Sequence, residues 1–190
     1  MTDAGCDPNA APPPAEQPPA ALCRAAAGKT LVIGLGNPLI ADDSVGLRVV
    51  EQLKRRLADY PGVDVTEDYW GGLRLMERMI GYSRAIVVDA ICTGVVPPGT
   101  IHHLATDSLA TQRSASAHDV NLPTALAFGR HAGVELPADQ DVHLVGIEAQ
   151  DVINFSEQCT PAVAEAIPRA VEEVVRLLDA LLGGSRDDIT

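Results

Sequence analysis

The sequence predicts an α/β protein of three layers, with a twisted, mostly parallel sheet of about five strands and helices on both faces. Three observations carry this. Short apolar runs alternate with segments whose apolar residues recur at helical spacing, as parallel strands joined by helical crossovers require. The run Ala85-Ile-Val-Val-Asp89 is apolar at consecutive rather than alternate positions, which suits a strand covered on both faces. Leu31-Val-Ile33 breaks abruptly into Gly34-Leu-Gly36, a strand entering a tight turn with a polar loop and a helix behind it.

Taken in order, residues 1–28 hold six of the fourteen prolines and nine alanines, with almost nothing aromatic or β-branched. Such a segment buries too little apolar area to offset its ordering entropy, so it is expected to be a disordered tail. The single domain is expected over 29–184, with 185–190 a flexible end. After the glycine turn Pro38 excludes helix, and Asp42-Asp43-Ser44 offers N-cap chemistry to a helix with the stripe Gly46, Val49, Val50, Leu53 and Leu57. Val63 to Glu67 alternates as a second strand and Leu73 to Ile80 reads as a short helix. Thr100–Leu104 is a further strand, and residues 105–119 form a long polar loop. A helix with Leu122, Ala125, Leu126 and Phe128 inward comes next, then a last strand over Val142–Ile147. Thr160-Pro161 opens a terminal helix carrying Val163, Ile167, Val171, Val174, Leu178 and Leu181, with Pro168 expected to kink it.

Composition narrows the function classes. Lys plus Arg total 14 against 26 Asp plus Glu, a net charge of −12, and the one basic run, Lys54-Arg55-Arg56, is the solvated face of a helix. That balance argues against a nucleic-acid partner. No run approaches the roughly 20 apolar residues of a membrane span, and the N-terminus lacks export-signal features. Cys6, Cys23, Cys92 and Cys159 show no paired metal spacing and read as free thiols of a cytoplasmic protein.

Chemistry concentrates at strand exits. Asp42 and Asp43 follow the first strand, Glu67 and Asp68 end the second, and His118 closes the long loop. Taken singly, each is as well explained as a cap or a solvated side chain. Together, two carboxylates and an imidazole suit a borderline divalent ion such as nickel or zinc. Gly34-x-Gly36 lacks the third glycine of a dinucleotide fingerprint, Leu39 standing in its place, and no phosphate-binding lysine follows, so no nucleotide is expected.

Gly34-x-Gly-Asn37, Asp42-Asp43-x-x-Gly46, the strand ending at Glu67, Ala85-Ile-Val-Val-Asp-Ala90, Ser116-x-His118 and Val145-Gly-Ile-Glu148 ahead of a Thr-Pro helix jointly resemble the hydrogenase maturation endopeptidases. The likeness spans Thr30 to Leu182. It implies a protease that trims a C-terminal extension from the nickel-loaded large-subunit precursor of a nickel–iron hydrogenase. It also implies nickel contacts at Asp43, Glu67 and His118, the metal being presented by the substrate rather than stored. Two departures stand out. The first acid is Asp where the family often has Glu, and the second is Glu67-Asp-Tyr-Trp70 where the family commonly has Asp-Gly-Gly-Thr, which leaves Asp68 as an alternative to Glu67. A non-catalytic module that checks the metal of the precursor, and a nucleotide-dependent enzyme built on the glycine turn, are the competing readings.

Overall fold

The first apolar run becomes β1 (Thr30–Leu35), buried at every position because it lies inside the sheet. This is a computed structural model, and it describes residues 28–105 and 122–183. A 3-10 turn (Asp42–Ser44) feeds α1 (Val45–Arg56), followed by β2 (Val63–Asp68), α2 (Gly72–Arg78) and β3 (Arg84–Ile91). The chain then forms β4 (Ile101–Ala105), α3 (Leu122–His131), β5 (Val142–Glu148) and α4 (Pro161–Gly183). The predicted disordered tail, apart from Gly28, lies outside the described residues, as do residues 184–190 and most of the loop that contains His118.

The strands order as β2-β1-β3-β5-β4, parallel except that β4 runs antiparallel to β5. The alternation of side chains then separates two cores. Val32, Ile86, Val88, Val145 and Ile147 pack against α1 and α4. Leu31, Ile33, Ala85, Val87 and Leu144 pack against α2 and α3. Each of these valines, leucines and isoleucines removed from water contributes about 1.5–3 kcal/mol, which is why both faces are covered. Among the described residues, four helices over two faces complete the three predicted layers.

Two local expectations are corrected. Neither the 3-10 turn nor α1 has a side-chain capping bond; the Asp42 carboxylate is spent on a distant loop, as described below. Phe128 is 64% exposed, because Ala125, Leu126 and Gly129 already supply the inward face of α3. Pro168 sits inside α4, whose helical run continues through it to Gly183.

The strand order decides where a site can form. From β1 the chain crosses to β2 on one side, while β3 lies on the other, with Gly34 opposite both Glu67 and Val88. Connections therefore leave β1 and β3 in different directions, and a crevice opens between their carboxyl ends, the usual ligand position of an open α/β sheet.

Candidate active site

The glycine turn is where α1 comes down onto the sheet. A Cβ on Gly46 would stand 2.3 Å from the Leu35 carbonyl oxygen and 2.4 Å from that of Val88, and one on Gly34 would stand 2.3 Å from the Gly46 carbonyl oxygen. Gly36 has φ +145°, and a side chain there would run into the carbonyl of Asp43. The glycines thus let main chain press on main chain at the end of β1. The contact fixes the 3-10 turn, and with it Asp42 and Asp43, at the head of the crevice.

These neighbouring acids do different work. Asp42 is fully buried. Its Oδ2 accepts from the backbone N–H of Gln150 and Asp151, each at 2.9 Å, and from Thr160 Oγ1 at 3.0 Å, while its Oδ1 accepts from Thr160 N–H at 2.6 Å. It ties the turn to the loop between β5 and α4. Asp43 is half-buried and, among the described residues, accepts one bond, from Asn37 N–H at 2.9 Å. Burial raises its carboxyl above the ordinary value, partly offset by that bond.

The acid whose charge balance Asp43 affects is Asp89, which ends the apolar run of β3 on the neighbouring strand. Asp89 keeps a partial opening to solvent, yet its carboxyl is surrounded by protein. Burial, then the charge of Asp43, pushes it up to about 7 against an offsetting bond from Ala90 N–H. Two carboxyl groups at the same strand ends, both with raised affinity for protons, are what a cation-accepting or proton-transferring site presents. Just beyond, desolvation of the sulfur and then the carboxylates of Glu148, Asp43, Asp42 and Asp89 raise the Cys92 thiol, so it is no thiolate at neutral pH.

The second strand's acids are engaged elsewhere. Glu67 shares the pleat face of Val63 and Val65 and turns toward α1, where Lys54 Nζ donates to its Oε2 at 3.0 Å. Asp68 points to the other face, is 5% exposed, and is held by Arg78 at 3.2 Å and Arg74 at 3.5 Å. His118 lies outside the described residues. Among those described, no three His, Cys, Asp or Glu side chains are grouped to hold a metal ion. Asp89 was visible in the sequence as the one ionisable residue closing a continuous apolar strand, but strand order was needed to bring it beside Asp43.

Glu148, 2% exposed at the end of β5, closes the far wall. It accepts from Thr93 N–H and Thr93 Oγ1, both at 2.9 Å, and from Gly94 N–H at 2.8 Å, and so holds down the loop that follows β3.

The profile of the HycI hydrogenase maturation protease family matches residues 47–177. The chain belongs to that family. The Hydrogenase 2 maturation protease of Escherichia coli K12 is 30% identical to this maturation protease over 154 residues, which cover 79% of the present chain and 90% of the relative. The hydrogenase expression/formation protein HupD of Rhizobium leguminosarum bv. viciae is also 30% identical, over 155 residues covering 80% and 75% of the two chains. Among solved structures, the hydrogenase maturating endopeptidase HybD from E. coli superposes with a TM-score of 0.66 at 27% identity, over 80% of this chain and 93% of that one. The predicted three-layer fold and the peptidase class both stand. No helix among the described residues is long and apolar enough to cross a membrane.

Proposed function

We propose that this maturation protease works in the cytoplasm, removing a C-terminal extension from a hydrogenase large-subunit precursor, and that Asp43 and Asp89 contact a nickel ion carried in by that precursor. The observation that supports this is that Asp43 and Asp89 follow adjacent parallel strands at the same end of the sheet, with Asp89 buried and its carboxyl raised further by the charge of Asp43. Two carboxylates without a thiolate hold a borderline ion poorly by themselves. They can instead add oxygen contacts to an ion whose other ligands belong to the substrate, so binding is strongest when the substrate is metallated. His118, the remaining residue implied by the family resemblance, would complete the set. Glu67 and Asp68 are assigned to ion pairs that fix the β2 end.

Cleavage breaks one amide; water gives its hydroxyl to the new C-terminus and a proton to the released amine. Among the described residues no serine hydroxyl or cysteine thiol is hydrogen-bonded to an imidazole, and Cys92 is held protonated, which supports water as the attacking group. The test is the mass of the large subunit before and after incubation of nickel-loaded and nickel-free precursor with wild type, Asp89→Asn and Glu67→Gln. Wild type and Glu67→Gln should shorten the nickel-loaded form alone, and Asp89→Asn should leave it intact. An active Asp89→Asn beside an inactive Glu67→Gln would return the second acid to β2. Equal processing of both precursor forms would remove the metal-sensing role.

A further inference from the structure

Among the described residues the large apolar side chains left exposed are not scattered. All but Phe128 stand at the carboxyl-end rim of the parallel strands, in the loops around the Asp43–Asp89 crevice or, for Leu73, at the start of α2. The foremost are Leu39 after β1, Tyr69 and Trp70 after β2, Val95 after β3, and Ile153 and Phe155 after β5. Phe155 is 84% exposed, Ile153 81% and Trp70 61%.

Leu39, Val95, Ile153 and Phe155 are presented on pinned backbone. Ile40 and Phe155 pair as an isolated antiparallel bridge, Ser156 N–H donates to the Leu39 carbonyl at 3.0 Å, and Ala41 N–H donates to that of Asn154 at 3.2 Å. Asp151 Oδ1 accepts from Ile153 N–H at 3.1 Å and Asn154 N–H at 3.0 Å, and Asp42 anchors both ends of the same loop. Glu148 does the equivalent for the loop of Val95. The exposure of these apolar groups is therefore built into the rim.

Charge follows the same pattern. Residues 36–41, 69–71, 92–100 and 149–160 contain no Lys, Arg or His and only two acids, Asp151 and Glu157, in a chain that is 21% charged. Asp151 spends its carboxylate on its own turn. A rigid, charge-depleted surface carrying Trp, Tyr and Phe is the composition of a protein-binding core.

We infer that this rim is the docking face for the folded body of the precursor: it takes an uncharged, apolar surface flanking the cleavage junction. Tyr69 and Trp70 grip one side, and Leu39, Ile153 and Phe155 grip the side of the β5 loop. The inference rests on the precursor being the substrate, and it adds where specificity resides. Loops with this composition select a partner by shape and apolar contact, while the acid pair reports whether the metal is in place.

The test uses the full chain and nickel-loaded precursor, comparing wild type with an Ile153→Ser/Phe155→Ser double variant and with Trp70→Ser. Steady-state cleavage gives kcat and KM separately. Precursor affinity is measured in parallel with the same substitutions placed in Asp89→Asn and compared with Asp89→Asn alone, so that binding is read without cleavage and against a background lacking the same metal contact. Both rim variants should raise KM and weaken binding at least tenfold, with kcat within about twofold of wild type and an unchanged urea midpoint, because the removed groups touch no core. An unchanged KM and affinity in both variants would overturn the docking face while leaving the protease assignment in place. A wild type that fails to shorten the precursor would instead remove the substrate reading itself. If sedimentation shows a wild-type dimer that the rim variants disperse while KM stays unchanged, the occupant is a second copy of this chain and the inference fails.

Discussion

Asp42 and Asp43 are chemically identical neighbours, and the structure predicts that replacing them with Asn has opposite consequences. Asp42 is sealed from solvent and faces four donors, three on Oδ2 and one on Oδ1. In Asp42→Asn an amide NH₂ replaces one of those oxygens and must point at an N–H. At least one buried donor is stranded, at about 1–3 kcal/mol, and the remaining bonds lose their charge assistance, which was worth roughly half their strength. Together these cost about 3–5 kcal/mol. Asp43→Asn keeps an oxygen for Asn37 N–H and should cost within about 1 kcal/mol, since that neutral bond survives. With a urea slope of about 2 kcal/mol per molar, the Asp42 variant should unfold roughly 2 M earlier than wild type, and the Asp43 variant within about 0.5 M of it. Asp43→Asn should nevertheless lose cleavage of nickel-loaded precursor. Equal urea midpoints for the two variants would refute the division of labour.

Two further outcomes are expected. Asp89 titrates near 3.8 when unfolded and at about 7 when folded, so between those values the unfolded chain releases a proton that the folded chain keeps. Stability should therefore fall as pH rises from about 4 to 7, by up to roughly 4 kcal/mol, and level off above; Asp89→Asn should lose most of that slope in urea titrations at pH 5 and 8. Gly46→Ala places a methyl against the carbonyls of Leu35 and Val88, neither of which can yield without lifting α1. A loss of about 3 kcal/mol and a melting temperature lower by about 10 °C should follow.

Much of the architecture could be read along the chain because strands and helices here carry different periods. β3 announced itself as a continuous apolar run, and α4 by its stripe behind Thr160-Pro161. Phe128 escaped the same reasoning, since a helix packed through Ala and Gly leaves a neighbouring large residue outside. For the site, the sequence pointed to the strand exits, and the structure sets Asp43 at the exit of β1. What it could not supply was which strand lies on which side of β1. Glu67 and Gly34 are indeed register partners, but the pleat turns Glu67 toward Lys54, and it is β3, far along the chain, that brings an acid to the crevice. Pairing across a sheet is a tertiary choice, and a single sequence carries little record of it.

The contact of Gly34 with Gly46 has an evolutionary consequence. The geometry of the acid pair is set by peptide groups touching peptide groups, with no side chain between them to be enlarged or trimmed. Substitution in the surrounding loops can therefore change the client surface without re-spacing the acids. On the docking face inferred above, a new client then requires new side chains only on the exposed loops, because the glycine contact that spaces the acids lies beneath them.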